Sequence, residues 1–300
     1  MDILVIGSNG QLGSDLVTVL SSAGHSVRGV DVPDIDITDR ASVDAALSRA
    51  APDVVVNPAA FTAVDACETG AARAFAVNAV GAMHVALAAA AAGAQLIHFS
   101  TDYVFDGSTA APYTETDPTG PSSVYGRSKL AGEWLVAANA PHSKILRIAW
   151  LYGANGANFV KTIVKAAIDK QKAGEPLTVV DDQTGCPTCT LDVCRQVAAL
   201  LEVPEYGLFH SVSGGRCTWY EFTRYILERC GIGTEVVPCT TDRFPRPAPR
   251  PRFSALENAR LNRLGRNLMP QWRQAFDSFY AVHAGAIAPG AGGTMKGGQR

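Results

Sequence analysis

Tyr125 and Lys129, in the string YGRSK, stand four residues apart, a spacing that puts both side chains on one face of a helix about one turn apart. A phenol with an ammonium beside it favours its ionised form, and a tyrosine tuned in this way can pass a proton to or from a carbonyl oxygen near neutrality. By itself the pair also fits an ordinary helix surface. Thr101 changes that reading, because it lies 24 residues before Tyr125 at the end of the apolar run Gln95 to Phe99. A hydroxyl, a tyrosine and a lysine one helical turn on make a proton-transfer group in which the hydroxyl polarises a carbonyl, the tyrosine moves the proton and the lysine tunes the tyrosine.

A strand must end at Thr101 and a helix must begin at Tyr125 for these groups to meet, so the element order carries the argument. Residues 2 to 7 (DILVIG) read as a strand that runs into SNGQLG and then an amphipathic stretch from Ser14 to Ala23, the pattern strand, glycine turn, helix. Gly7, Gly10 and Gly13 are spaced GxxGxxG: the first permits a tight turn, the second lets the backbone approach a pyrophosphate, and the third lets helix and strand pack closely. A second strand, HSVRGVD, ends in Asp31, whose carboxylate suits the hydroxyls of an adenosine ribose and would repel the additional phosphate of NADPH. The nearby Arg28 keeps NADPH open. Together these features predict a bound nicotinamide dinucleotide, NADH or NADPH.

Strands and helices keep alternating through residues 42–49 and DVVVNPAA, and continuous apolar strands of this kind imply a parallel sheet covered on both faces. Asp36 and Ile37 are expected to border the adenine, and Ala60, Phe61 and Thr62 fall at the carboxyl edge of the sheet, where ligands of such folds bind. The stretch Ala71 to Ala92 reads as one long alanine-rich helix, packed in the core or against another subunit. The strand KILRIAWLYG ends near Trp150, which could stack on a substrate ring or pack in the core. The expected fold is α/β: a Rossmann-type doubly wound parallel sheet over residues 1–155, with room for some later segments to return to it, a smaller C-terminal α/β substrate lobe over 156–284, and a Gly/Ala-rich disordered tail over 285–300. Within the lobe, FPRPAPRPRFSAL reads as an extended arm that brings Arg250 to a phosphate.

Composition narrows the partners. A net charge of −2 over 300 residues gives no footprint for nucleic acid, and no apolar run reads as long enough to span a membrane. The N-terminus enters a strand directly, without a basic leader, and seven scattered cysteines suit a reducing compartment, so a cytoplasmic location is expected. Cys186, Cys189 and Cys194 cluster, but no fourth ligand stands at a spacing that would hold zinc.

GSNGQLG, Asp31, Thr101, Tyr125 and Lys129 follow the order of an extended short-chain dehydrogenase/reductase, and NPAAFTAVDACE, STDYVFDG, YGRSKLAGE, RIAWLYG and DQTGCPT together resemble the dTDP-4-dehydrorhamnose reductase family. The resemblance runs from residue 2 to about residue 275. It implies reduction of the C4 ketone of a dTDP-sugar by NAD(P)H, with cofactor contacts at Asn9, Gly10, Gln11, Leu12, Asp31, Asp36, Ile37 and Ala60 to Thr62. Tyr125 and Lys129 would serve both catalysis and the nicotinamide ribose, while Thr101, Asp102 and Trp150 would meet the sugar. Some members are associated with Mg2+ at a subunit contact, and Asp15 is the one acid here that matches. A homodimer would join through the alanine-rich helix or the Tyr125 helix. Two other readings share the scaffold: another nucleotide-sugar reductase or 4-epimerase, such as a dihydrostreptose-type enzyme, and a non-catalytic subunit like the regulatory subunit of methionine adenosyltransferase.

Overall fold

The computed structural model describes residues 1–287. Its centre is a six-stranded parallel sheet built from β1 (Asp2–Ile6), β2 (Ser26–Val30), β3 (Val54–Asn57), β4 (Gln95–Thr101), β5 (Ser143–Ile148) and, much later in the chain, β10 (Gly207–His210). The order across the sheet is β10-β5-β4-β3-β1-β2. The order reverses between β1 and β3, which opens a crevice at their carboxyl ends, the place where open α/β sheets bind ligands.

Alternation along the strands explains why helices cover both faces. In β1, Ile3 and Val5 join one core with Leu12, Leu16 and Leu20 of α1 (Gln11–Ser22) and Val193, Val197 and Leu200 of α8 (Thr190–Leu201). Leu4 and Ile6 point the other way, into a core with Val43 and Leu47 of α2 (Arg40–Ala50), Val85 and Ala89 of α5 (Ala82–Ala91), and Val136 of α6 (Val124–Asn139). The inner strands β1, β3 and β4 are largely apolar because they are buried on both sides, whereas the edge strand β2 is mostly exposed.

The alanine-rich stretch is not one regular helix. After the short α3 (Val64–Thr69), it runs as α4 (Ala71–Phe75), a π-helical segment Ala76–Gly81, and α5. By length and composition the whole of Ala71–Ala91 could cross a membrane, with a mean hydropathy of 1.7 in its most apolar window. That corrects the expectation that no apolar run reaches such a length, although half of the window is buried inside this fold against α2 and α6.

The second lobe packs α7 (Phe159–Ala173), α9 (Trp219–Cys230) and α11 (Trp272–Ile287) around Tyr152, Phe222, Phe276 and Phe279, with β7 (Leu177–Val180) paired to β12 (Val236–Cys239). A small pairing of β6 (Leu151–Tyr152) with β9 (Thr188–Cys189) stitches it to the sheet domain, and β8 (Thr184–Gly185) pairs with β11 (Cys217–Thr218) within the lobe. The helix α10 (Ala259–Arg263) follows the proline-rich arm and rests on β10. Helix ends carry local signals: Asn158 caps α7, Thr218 and Glu221 form a capping box on α9, and Gly174 and Gly231 close the same helices in the left-handed conformation. Of the tail expected over 285–300, residues 285–287 continue α11 and the remainder lies outside the described residues.

Candidate active site

The crevice holds a cavity of about 1040 Å3 lined by Gly7, Gly10, Gln11, Leu12, Gly13, Asp31, Asp36, Ile37, Ala60, Phe61, Thr62, Thr101, Asp102, Tyr125, Lys129 and Trp150. One end is the glycine turn. Gly7 has φ +86°, a conformation that a side chain would strain, and a Cβ on Gly13 would stand 2.0 Å from the Gly7 carbonyl oxygen. Helix α1 can therefore begin directly against the turn. No side chain caps its first N–H groups, which leaves them free for an anion in the cavity. Asp31 accepts from the N–H groups of Asn9 at 2.9 Å and Val32 at 2.8 Å, so its carboxylate is fixed at the rim. Asn9 itself does not line the cavity. Asp36 binds the N–H and hydroxyl of Thr38, and these bonds hold its carboxyl below the usual carboxylate range. The turn, the open helix end and the fixed carboxylate fit a dinucleotide in shape and in hydrogen-bonding groups.

Opposite the turn stand Thr101, Asp102, Tyr125 and Lys129. Thr101 ends β4, and Ser123 caps α6 by accepting from the Gly126 N–H, which starts the helix in time to put Tyr125 in its first turn. The Thr101 hydroxyl donates to Asp102 Oδ1 at 3.0 Å and accepts from the Tyr103 N–H at 3.2 Å. Lys129 donates to the Phe99 carbonyl at 2.6 Å. Burial pushes the Tyr125 phenol well up, hydrogen bonding with Thr101 opposes this, and the charges of Asp102 and Cys67 push in the same direction as burial. The expected tuning of Tyr125 by Lys129 is not what this arrangement provides, because the ammonium is turned to a backbone carbonyl. Burial lowers Lys129 to about 8. Asp102, 2% exposed, is raised by burial to about 6.

The structure adds residues the spacing did not single out for the site. Asn78, in the π-helical segment, accepts from the Phe61 N–H at 2.7 Å and donates to the Phe61 carbonyl at 3.1 Å and to Ser128 Oγ at 3.0 Å. It thereby ties the Ala60 to Thr62 loop to the Tyr125 helix. Arg73 lies over the Phe61 ring at 4.9 Å and lines the same cavity. Trp150, at φ +45°, stacks on Trp219 with ring centroids 3.3 Å apart, and both line the cavity. A Cβ at Gly185 would fall 2.3 Å from the Trp150 ring, so the DQTGCPT string needs a glycine there.

Arg250 is placed differently from the expectation. Its Nη2 pairs with Asp65 Oδ1 at 3.0 Å, its Nη1 donates to the Ala248 carbonyl, and it does not line the cavity. The counter-ion of the arm's arginine comes from α3. Asp15, the acid matched to a metal, is engaged by Thr190 and Asn155, and among the described residues no group of three or more His, Cys, Asp or Glu is placed to hold a metal ion.

A doubly wound parallel sheet with a glycine turn at its switch point and Thr101, Tyr125 and Lys129 across the crevice defines an extended short-chain dehydrogenase/reductase. Residues 1–284 match the RmlD substrate binding domain family. A dTDP-4-dehydrorhamnose reductase of Streptomyces griseus is 41% identical over 96% of this chain and 96% of its own length. A crystal structure of a dTDP-4-dehydrorhamnose reductase from Clostridium acetobutylicum superposes with a TM-score of 0.90 at 41% identity, covering 94% of this chain and 99% of that one. One from Bacillus anthracis, in complex with NADP, gives a TM-score of 0.90 at 34% identity over 93% and 98%. This chain belongs to the dTDP-4-dehydrorhamnose reductase family and is an NAD(P)H-dependent oxidoreductase.

Proposed function

We propose that this enzyme reduces the C4 ketone of dTDP-4-dehydro-β-L-rhamnose to give dTDP-L-rhamnose, with Tyr125 as the proton donor. The observation that carries this reading is the convergence of Thr101, Tyr125 and Lys129 on the same cavity as the glycine turn. The nicotinamide cofactor, when bound, supplies the hydride. Gly7, Gly10 and Gly13 admit its pyrophosphate to the start of α1, Asp31 receives the adenosine ribose, and Lys129 stands where it can hold the nicotinamide ribose. Buried Tyr125 stays protonated at neutral pH, which is the form a reductase needs to protonate the oxygen that becomes an alkoxide. Thr101 lies beside that oxygen's site, and Trp150 with Trp219 closes the sugar end of the cavity against water. Six buried free thiols suit an enzyme of a reducing compartment, which supports a cytoplasmic location.

The test is loss of reduced-nicotinamide absorbance when the protein is mixed with NADH or NADPH and the 4-keto sugar nucleotide. Oxidation that yields a dTDP-6-deoxyhexose is the expected outcome, and the ratio of the two rates measures the discrimination made by Asp31. Conversion of the sugar with no net consumption of cofactor would identify an epimerase and overturn the proposal.

A further inference from the structure

Arg73 and Lys129 are the cations among the residues that line the cavity, which also presents the carboxylates of Asp31, Asp36 and Asp102. A nicotinamide dinucleotide adds two negative charges at its pyrophosphate, so positive charge is needed where that group lies. Lys129 is 3% exposed and already donates to the Phe99 carbonyl, at the Tyr125 end of the cavity. Arg73 is exposed and enters no salt bridge or side-chain hydrogen bond among the described residues. Its guanidinium carbon stands 4.9 Å from the centroid of the Phe61 ring, and Asn78 holds Phe61 by both backbone groups. A flat guanidinium resting on an aromatic ring keeps the N–H donors at its edges free, and bidentate binding of a phosphate uses those donors.

The phosphates of NADPH fall at two places in a fold of this kind: the pyrophosphate at the glycine turn after β1, and the ribose phosphate at the end of β2. The loop that carries Phe61 follows β3, which lies directly beside β1, and a Cβ on Gly7 would stand 3.0 Å from Ala59 of that loop. Asp31 follows β2, on the other side of β1, so two strand spacings, about 10 Å, separate its strand from β3. Arg73 therefore belongs to the pyrophosphate side. It stands in α4, and Val77, about one turn on and also lining the cavity, packs into the core shared with α5. That core is on the opposite face of the sheet from α1, whose first N–H groups are uncapped. We propose that Arg73 binds the pyrophosphate of the cofactor, closing on it from the face of the sheet opposite α1. The assignment rests on the cofactor placement proposed above. Because NADH and NADPH both carry this group, Arg73 strengthens the binding of each and leaves the choice between them to the Asp31 end.

Arg73→Met keeps an unbranched stem over Phe61 and removes the charge and the donors. The experiment measures dissociation constants of NADH and NADPH by nicotinamide fluorescence, for the wild type and this variant, at about 0.05 M and about 0.5 M KCl. At the lower salt both cofactors should bind about five- to twentyfold more weakly to the variant, by factors that agree within about twofold. At the higher salt the gap between wild type and variant should narrow by at least about half, since the guanidinium is exposed to screening. Arg73→Lys, which keeps the charge and loses the fork, should fall between the two. A loss confined to NADPH would give the guanidinium to the ribose phosphate and overturn the proposal, and so would unchanged constants or a gap indifferent to salt. Tm of Arg73→Met should stay within about 2 °C of wild type, as expected for an exposed side chain in no hydrogen bond, so that weaker binding is not a sign of lost structure. Gly13→Ala separates the two readings. Binding lost in Gly13→Ala and intact in Arg73→Met overturns the role of Arg73 alone, whereas binding intact in both removes the cofactor placement itself.

Discussion

Asn78 grips Phe61 by both of its backbone groups, taking the N–H at 2.7 Å and giving to the carbonyl at 3.1 Å. An amide side chain carries a separate donor and acceptor and can meet both backbone groups at once, and here it stands in for a strand partner that the loop after β3 lacks. Asn78→Ala leaves both Phe61 groups to find water in a partly closed site, a loss of about 1–3 kcal/mol. The expected result is cofactor affinity about tenfold weaker or more, measured by nicotinamide fluorescence. An unchanged dissociation constant would show that the loop holds its shape without the asparagine.

Tyr125→Phe removes the acid and leaves the shape. Cofactor affinity should stay within about threefold of wild type while kcat falls by at least about a hundredfold, the scale of general acid catalysis. A variant that kept most of its turnover would place the proton donor elsewhere in the cavity.

Lys129 makes stability depend on pH in a direction that can be worked out. Its folded pKa, near 8, lies below the ordinary 10.5, so between these values the unfolded chain binds the additional proton. Stability from this residue is complete above the unfolded value and is lost as pH falls through the folded one. Lys144, lowered to about 8 by burial, acts in the same sense, and the buried cysteines act oppositely, so the residue is isolated only by difference. The free-energy gap between wild type and Lys129→Met, from denaturant unfolding, should shift in favour of wild type by about 1 kcal/mol or more between pH 8 and pH 10. A gap that does not change with pH would mean that the ammonium is not buried in solution.

Gly13→Ala should prevent the turn from closing. The added methyl would sit 2.0 Å from the Gly7 carbonyl, backbone against backbone, with no flexible neighbour to yield. A loss of about 2 kcal/mol or more is expected, together with loss of cofactor binding. Gly285→Ala is the matched control, since nothing lies within 4 Å of the new Cβ, and a helical glycine replaced by alanine should leave Tm equal or higher.

The parts of the site that could be read from the sequence are those written in short strings. The glycine turn, Thr101 and the Tyr125 pair each depend on spacing within one turn or one helix, and spacing survives in one dimension. Asn78 reaches Phe61 across 17 residues, Trp219 reaches Trp150 across 69, and neither partner marks the other in the sequence. An extended proline arm and a guanidinium suggest a phosphate for Arg250, whereas the fold sets Asp65 against it. The break in the alanine-rich helix was hidden for another reason: alanine favours the α-helix and gives no local sign of a π turn, which is formed where Asn78 bonds the neighbouring loop and helix.

The place of β10 in the sheet has a practical consequence. Residues 207–210 pair along β5, in register from Gly207 opposite Lys144 to His210 opposite Arg147. A fragment ending near residue 155 would present β5 as a bare, apolar margin with a row of unpaired amides, a template for any other extended chain. The nucleotide half and the sugar half are therefore not separable goods: each is finished by the other, and a genetic split or fusion that respects the apparent seam at residue 155 would yield a sticky fragment in place of a dinucleotide-binding module.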